Sequence, residues 1–536
     1  MNKNIQRAAS LAVISLLLWT TSCRTTDSEN TLSASGISAV NVNLLGTSFT
    51  DVSGNAQASV AKLGTVTDVA QTHSVLVDPS HIISVEYTPA TTSLKNSAGL
   101  NPVAVISGSP LTQGMKFRVI AYNNSTTAES YSDYTIGASN SIQGNPLMLT
   151  NGVNYTIVAY SYGSSYLPAY SASDTTLQYN DANRDFMFVK TSFTPNGANI
   201  VNKIPITLNH EITEITTIID ASGYGNITNI QNAKITPHYT TSTISLADGS
   251  ISNYANAASG GIPLVFPNLS SAATTQTANN ILINASEMGS FSADVAIGGG
   301  ALKTIGLPNS FLIKPGYRRN LTIKLAKCGA NINGINTNFM CHNLGADYSQ
   351  DPNNPSNNAL VHGAKYNWGA KTESVSQTLD QQSATISYTY NGDKTNNDAW
   401  VGANARNNPC PSGYRIPTQS ELQSLIQGLN GTLGSGTYNS NTVKGSWLSS
   451  YTSYDSFRIF TSKINTAYSI SLPAAGYRDA TSTIQQRNSA GWYWTSNGNG
   501  SYNVLQFDNT YFPGVTNSTT FSAGSGNALP VRCIAN

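Results

Sequence analysis

Charge is what this chain has least of. Lys, Arg, Asp and Glu make up only 10% of its 536 residues, where an average globular protein carries roughly a quarter. The 28 basic and 27 acidic side chains nearly cancel. No basic face is available for the counterion release that drives nucleic-acid binding, so a nucleic-acid partner is excluded. The polar surface must come from Asn, Ser, Thr, Gln and Tyr instead. Histidine is scarce, with six in the chain, and neither an H-x-x-x-H nor a C-x-x-C spacing occurs. A zinc centre therefore has no ligand set. Between Cys23 and Cys328 there is no cysteine, and between Trp19 and Trp368 there is no tryptophan. The two gaps end close together and place a boundary near residue 328. Long apolar runs are missing too. The one at residues 8–19 is too short to span a bilayer comfortably.

That run follows Lys3 and Arg7 and leads into Thr20-Thr21-Ser22-Cys23. A positive stretch, a short apolar stretch and small residues read as a secretory signal. Small residues ending on a cysteine resemble a bacterial lipobox, which implies lipidation of Cys23, a signal over residues 1–23 and a lipid anchor during export. Residues 24–35 then form a polar tether. Export sets an oxidising context, in which the four cysteines left, Cys328, Cys341, Cys410 and Cys533, read as two disulfides with three possible pairings.

From residue 36 to 327 the pattern is β throughout. Residues 115–122, 155–162 and 185–190 alternate apolar and polar. Over 203–220 the apolar set runs Ile204, Ile206, Leu208, then shifts phase to Ile215 and Ile219 after His210-Glu211, which predicts a bulge or break. "NSFLIKPGYRRNLTIKLAKC" reads as two strands joined at Pro315-Gly316, with Leu321, Ile323 and Leu325 on the buried face of the second. Turn-rich segments separate these strands and predict antiparallel sandwiches. The fold class is mainly β, with two tandem sandwiches splitting near 190. Beyond 328 the loops lengthen, and Thr418, Glu421, Leu422, Leu425, Ile426 and Leu429 predict a capped amphipathic helix. That last part reads as α+β.

Six stretches occur there in order: "FMCHNLGAD" (339–347), "YNWG" (366–369), "CPSGYRIPTQSEL" (410–422), "LPAAGYRD" (472–479), "GWYWTS" (491–496) and "PVRC" (530–533). The series resembles the bacterial major paralogous domain, a relative of the C-type-lectin-like and formylglycine-generating-enzyme fold. Upstream, "YTIVAYSY", "DFMFVKTSF", "KIPITLNHEITEITTIID" and "LIKPGYRRNLTIKL" resemble the fimbrillin-like family of Bacteroides-type pili. The second resemblance implies transthyretin-like sandwiches at 36–190 and 191–327, outer-membrane lipoprotein export, and assembly with other pilin subunits by strand exchange after proteolytic removal of an N-terminal strand. The first implies a lectin-like domain at 328–536 and a Cys410–Cys533 bridge, leaving Cys328 to Cys341. A subunit whose sandwiches are followed by a globular domain can accept a strand more readily than donate one, which favours a tip or accessory adhesin. After Arg24 the next arginine is Arg118, so Lys62 is the basic residue available for processing near the first strand. A non-fimbrial, glycan-binding surface lipoprotein of a nutrient-uptake system is the alternative.

A nucleophilic Cys410 would need a base beside it, and no histidine makes a recognisable pair with it. Enzymatic chemistry and a cofactor are not expected. The oxygen-rich runs Asp347, Asp351, Asn353 and Asp393, Asn397, Asp398 lack EF-hand spacing, so no metal is expected. Ligand contact, with a host or bacterial surface glycan or a protein receptor as partner, falls on the aromatic and amide-rich 492–512 region. Trp492 and Trp494 read as core; Asn497, Asn499, Tyr502, Tyr511 and Phe512 are the candidate ligand residues.

Overall fold

The computed structural model describes residues 36–50, 70–90, 112–123, 127–182, 185–197, 201–271, 273–353, 358–393, 398–402, 405–426, 438–496, 502–510, 514–517 and 526–536. The fold is mainly β, and the chain divides into two compact units.

The first unit is built on an eight-stranded sheet. Its strands run in the order Ile142–Gln143, Ser130–Ile136, Lys116–Tyr122, Tyr155–Ser161, Met187–Phe193, Asn202–His210, Ile37–Ser48 and Leu147–Thr150. Period-2 alternation explains its inner face: Phe117, Val119, Tyr155, Ile157, Ile204 and Ile206 are all buried in one cluster. The strand predicted to end at 190 continues to Phe193, so the sequence division at 190/191 falls inside it.

The phase change after His210 is a true break. Asn202–His210 ends the first unit's sheet and Thr213–Asp220 begins a strand of the second. There, the long strand Arg318–Ile332 is the axis. It pairs in parallel with Thr213–Asp220 and antiparallel with His81–Pro89, which forms a hairpin with Gln71–Asp78. Residues 36–190 therefore contribute strands to both units. A four-stranded sheet, Ile262–Pro263, Ile227–Thr236, Met288–Ile297 and Lys303–Leu312, shares with it a core of Ile83, Val85, Ile215, Phe291, Leu307 and Leu321. Gly316, at φ +82°, turns the chain between Lys303–Leu312 and Arg318–Ile332, a conformation that favours glycine.

Arg318–Ile332 does not stop at the expected 327/328 boundary. Lys327 and Cys328 pair in parallel with Tyr468 and Ser469, and Gly329 to Ile332 turn back on Ile335–Asn338. One sheet thus runs on through Tyr468–Pro473, Phe457–Ser462 and Asn439–Lys444. Lys327 reinforces the crossing: its Nζ lies 4.5 Å from the Tyr224 ring centroid and 4.9 Å from that of Tyr468.

Candidate functional site: an inserted strand and a stapled C-terminal region

In the first unit the notable element is Ile37–Ser48. It lies between two strands, parallel to Asn202–His210 and antiparallel to Leu147–Thr150. Val40 and Val42 are buried from it, while Ile37 at its start is 67% exposed. A single early strand thus completes the gap between two others.

The C-terminal part of the second unit is held by two disulfides, Cys328–Cys341 and Cys410–Cys533, the pairing that the resemblance implied. Cys410 has no free thiol, so nucleophilic chemistry is closed to it. The helix is Gln419–Ile426. The Glu421 N–H donates to Thr418 Oγ1 at 3.3 Å and the Thr418 N–H donates to Glu421 Oε2 at 2.8 Å, a reciprocal capping box. Leu422, Leu425 and Ile426 face the core; Leu429 lies outside the described residues. Burial alone would raise the Glu421 carboxyl, but bonds from Arg415 at 2.6 and 2.8 Å outweigh it and bring the carboxyl below its ordinary value.

The six motifs bond to one another. Trp368 donates to the Thr495 carbonyl at 3.2 Å, Trp494 to the Tyr366 carbonyl at 2.7 Å, and Tyr493 to the Pro473 carbonyl at 2.8 Å. Arg532 donates to Asn343 Oδ1 at 3.0 Å and to the Cys341 carbonyl at 2.9 Å, and its burial pushes the guanidinium down to about 10. Trp492 and Trp494 are core residues, as expected.

Tyr502 is not a surface residue. It is 3% exposed, with its ring 4.7 Å from that of Trp368, because the strand that it precedes pairs into the core beside Gly491–Trp494. This corrects the expectation that it faces a ligand. Asn497, Asn499, Tyr511 and Phe512 lie outside the described residues, as does Cys23.

A charge cluster that the sequence reading missed lies at the centre. Asp380 is 1% exposed. Lys365 Nζ donates to its Oδ2 at 2.7 Å and Arg478 Nε to its Oδ1 at 2.8 Å, and Arg487 Nη2 also bonds Oδ2. Arg478 donates further to the carbonyls of Ala384 and Ser383 at 2.7 and 2.9 Å, at the end of the Gln377–Gln382 helix. Those carbonyls lie just past the helix and, with the Asp380 carbonyl, which accepts from Arg487 at 3.0 Å, they help to balance three cations against one carboxylate. Burial would raise Asp380, yet the three cations hold it well below the usual carboxylate range. Burial pushes the Lys365 ammonium down to about 8, with Asp380 opposing. His362 is pushed down to about 3 by burial, with Arg487 and Lys365 adding to it. One signal could have found the cluster: Arg478 sits in a motif in a chain where charge is scarce.

Asp347 accepts from the Ser349 backbone and hydroxyl at 2.9 and 2.7 Å, and Asp351 from the Asn353 N–H at 2.9 Å. These carboxylates close turns. Among the described residues no group of three His, Cys, Asp or Glu side chains is placed to hold a metal.

Residues 104–339 match the family model described as Fimbrillin-like. This part of the chain is similar to that family. Residues 318–535 match the Fibrobacter succinogenes major domain. The two matches overlap over 318–339, and the continuous strand Arg318–Ile332 lies within that overlap. The chain is similar to the fimbrial anchor protein Mfa2 from Porphyromonas gingivalis, at 12% identity, 42% of this chain, 91% of that one and a TM-score of 0.26. It is similar to a fimbrial assembly protein from Parabacteroides distasonis at 11% identity, 41% of this chain, 91% of that one and a TM-score of 0.25. No curated protein matches. Among the described residues no helix is long and apolar enough to cross a membrane.

Proposed function

We propose that the chain is a non-enzymatic fimbrial subunit of the tip or accessory type, exported as a lipoprotein through Cys23 and displayed on the cell surface. Its first unit accepts a donor strand in the place of Ile37–Ser48. Its C-terminal region, read as lectin-like, carries adhesion to a surface glycan or protein. The observation that carries the reading is the inserted strand: it is N-terminal, lies between two strands and buries Val40 and Val42. Removing it would leave two strand edges flanking an apolar groove, the geometry that β-augmentation fills. The fimbrillin-like match supports partnership with other fimbrial subunits. Residues 528–535 are engaged in short ladders and in the Cys410–Cys533 bridge, so they are not free to act as a donor.

The test offers a chain lacking residues 24–48 two peptides: its own residues 37–48, and C-terminal peptides of fimbrillin subunits from the same cell surface. The reading expects both to bind, to raise the unfolding temperature and to compete. Rebinding of the chain's own strand with no binding of any subunit peptide would refute strand exchange. Glycan-array binding without incorporation into filaments would favour the nutrient-uptake alternative.

A further inference from the structure

The inserted strand Ile37–Ser48 does not keep one register along its length. Beside Asn202–His210 it pairs Val42 with Ile204 and Leu44 with Ile206, then, after a shift, Thr47 with Leu208. Leu45 is the extra residue, a β-bulge, and it is 50% exposed. Gly46 after it takes φ +142°, a value that favours glycine. The bulge changes which positions face inward. Ahead of it the even positions Val40 and Val42 are buried, and beyond it the odd positions Thr47 and Phe49 are. With unbroken period 2, Phe49 would face out. Instead its ring lies flat on that of His210, with centroids 3.9 Å apart and planes 3° apart. His210 ends the neighbouring strand, and its Nδ1–H donates to Asp185 Oδ1 at 2.7 Å, which fixes the plane of the imidazole.

We propose that the His210 ring, held by Asp185, is the anchor subsite of the first unit's groove, and that it selects a strand bringing both a bulge and a flat aromatic ring. The inference rests on the strand-exchange reading above and says which strand that exchange admits. The occupant is a segment of another subunit patterned like this chain's own. It carries apolar residues at the places of Val40 and Val42, a glycine at that of Gly46 and an aromatic at that of Phe49. Main-chain bonds are blind to side chains, so the ladder supplies affinity and the pockets supply choice. An aliphatic side chain at the last place would fill space without the face-to-face contact of a second ring. The bulge sets a further condition. A regular strand seated at Val40 and Val42 would turn its residue at the place of Phe49 away from His210. The same stack holds the chain's own strand in the groove until another displaces it.

The test measures amide exchange in the full chain, where the chain's own strand is the occupant. Phe49→Leu is expected to speed exchange over residues 40–48 by about fivefold or more, while residues 155–161 keep their rate. Deleting Leu45 leaves Phe49 and His210 in the chain and is expected to do the same. In a His210→Leu background, Phe49→Leu is expected to add less than about twofold, because the ring has lost its partner. Unchanged exchange in Phe49→Leu, or an undiminished effect with His210 replaced, overturns the anchor. An equal rise over residues 155–161 overturns it too, by giving Phe49 only a general part in the unit's stability. Unchanged exchange on deleting Leu45 overturns the bulge condition. A labelled peptide of residues 37–50, offered to the full-chain Phe49→Leu variant, is expected to bind about fivefold more tightly than the same peptide carrying Phe49→Leu. Equal binding of the two overturns the selection. Binding of neither refutes strand exchange instead, and the anchor's grip on the chain's own strand is still decided by the exchange rates.

Discussion

Replacing Asp380 by Asn keeps the side chain's shape and removes the carboxylate that Lys365, Arg478 and Arg487 share. All three cations are 0–1% exposed at the side chain, so none can reach water when the charge is lost. The Arg478 bonds to the Ala384 and Ser383 carbonyls survive, so the cost falls on the lost charge and on the Lys365 and Arg487 bonds to Oδ2. Breaking a buried pair from one side costs about 3–5 kcal/mol, against a total domain stability of about 5–15 kcal/mol. That is roughly two to four powers of ten in the folding equilibrium. The Asn amide also turns two N–H donors towards a cluster of donors, which places the value at the upper end.

The assay is local. Trp368, Trp400, Trp447, Trp492 and Trp494 are buried in the C-terminal region, and the sixth tryptophan of the chain, Trp19, falls in the stretch that the sequence reads as an export signal. Tryptophan fluorescence in a denaturant titration therefore reports this region without the first unit. The charge argument makes a second demand. Lys365→Met added to Asp380→Asn removes one stranded cation, so the double variant is expected to recover about 1–3 kcal/mol relative to the sum of the singles. A loss below about 1 kcal/mol for Asp380→Asn, or strict additivity with Lys365→Met, refutes the reasoning.

The disulfides offer a ranking. Loop-closure entropy gives about 5 kcal/mol for Cys410–Cys533, which closes 123 residues, and about 3 kcal/mol for Cys328–Cys341, which closes 13. Paired Cys→Ser variants measured by the tryptophan signal are expected to lose stability in that order. The buried histidines set an acid limit. His342 and His362 are pushed down to about 4 and about 3 by burial, while the unfolded chain protonates them near 6.5. The stability that they contribute is complete above pH 6.5 and is lost as the pH falls towards 4 and 3, because the unfolded state binds more protons there. Denaturant midpoints at pH 7, 5.5 and 4 check this, and a His342→Leu/His362→Phe variant is expected to flatten the curve. In the inserted strand, Val40→Ala is expected to cost about 2 kcal/mol for two lost methyl equivalents and the space left. Ile37→Ala in the same strand, 67% exposed, is expected to stay within about 0.5 kcal/mol. Calorimetry of the first unit's transition distinguishes them, and equal losses would contradict the burial assignment.

What could be read from the letters was local, and what could not was pairing over distance. Residues 116–122 and 155–161 alternate with period 2 and became strands, and the phase slip after His210 marked the place where the chain leaves the first unit's eight-stranded sheet. The same rule is silent about partners. His81–Pro89 shows a buried face of Ile83, Val85 and Tyr87, but nothing in that pattern says that it pairs with a strand more than two hundred residues away. The 327/328 boundary was placed where composition changes, and a strand can carry its ladder through such a change. Tyr502 was misread for a related reason: an aromatic beside Asn- and Gly-rich sequence looks like a loop residue until Trp368 closes on it from another motif. Asp380 left no local trace at all, since its partners are spread over residues 365, 478 and 487. Taken together, these contacts change what the six motifs mean. Their aromatic, arginine and cysteine side chains spend hydrogen bonds and bridges on one another and on nearby buried groups such as Asp380, so the motifs specify how the region folds. Under the proposed function, recognition of a partner falls to positions outside them, and a substitution scan of those positions is expected to alter binding while leaving tryptophan-monitored stability unmoved.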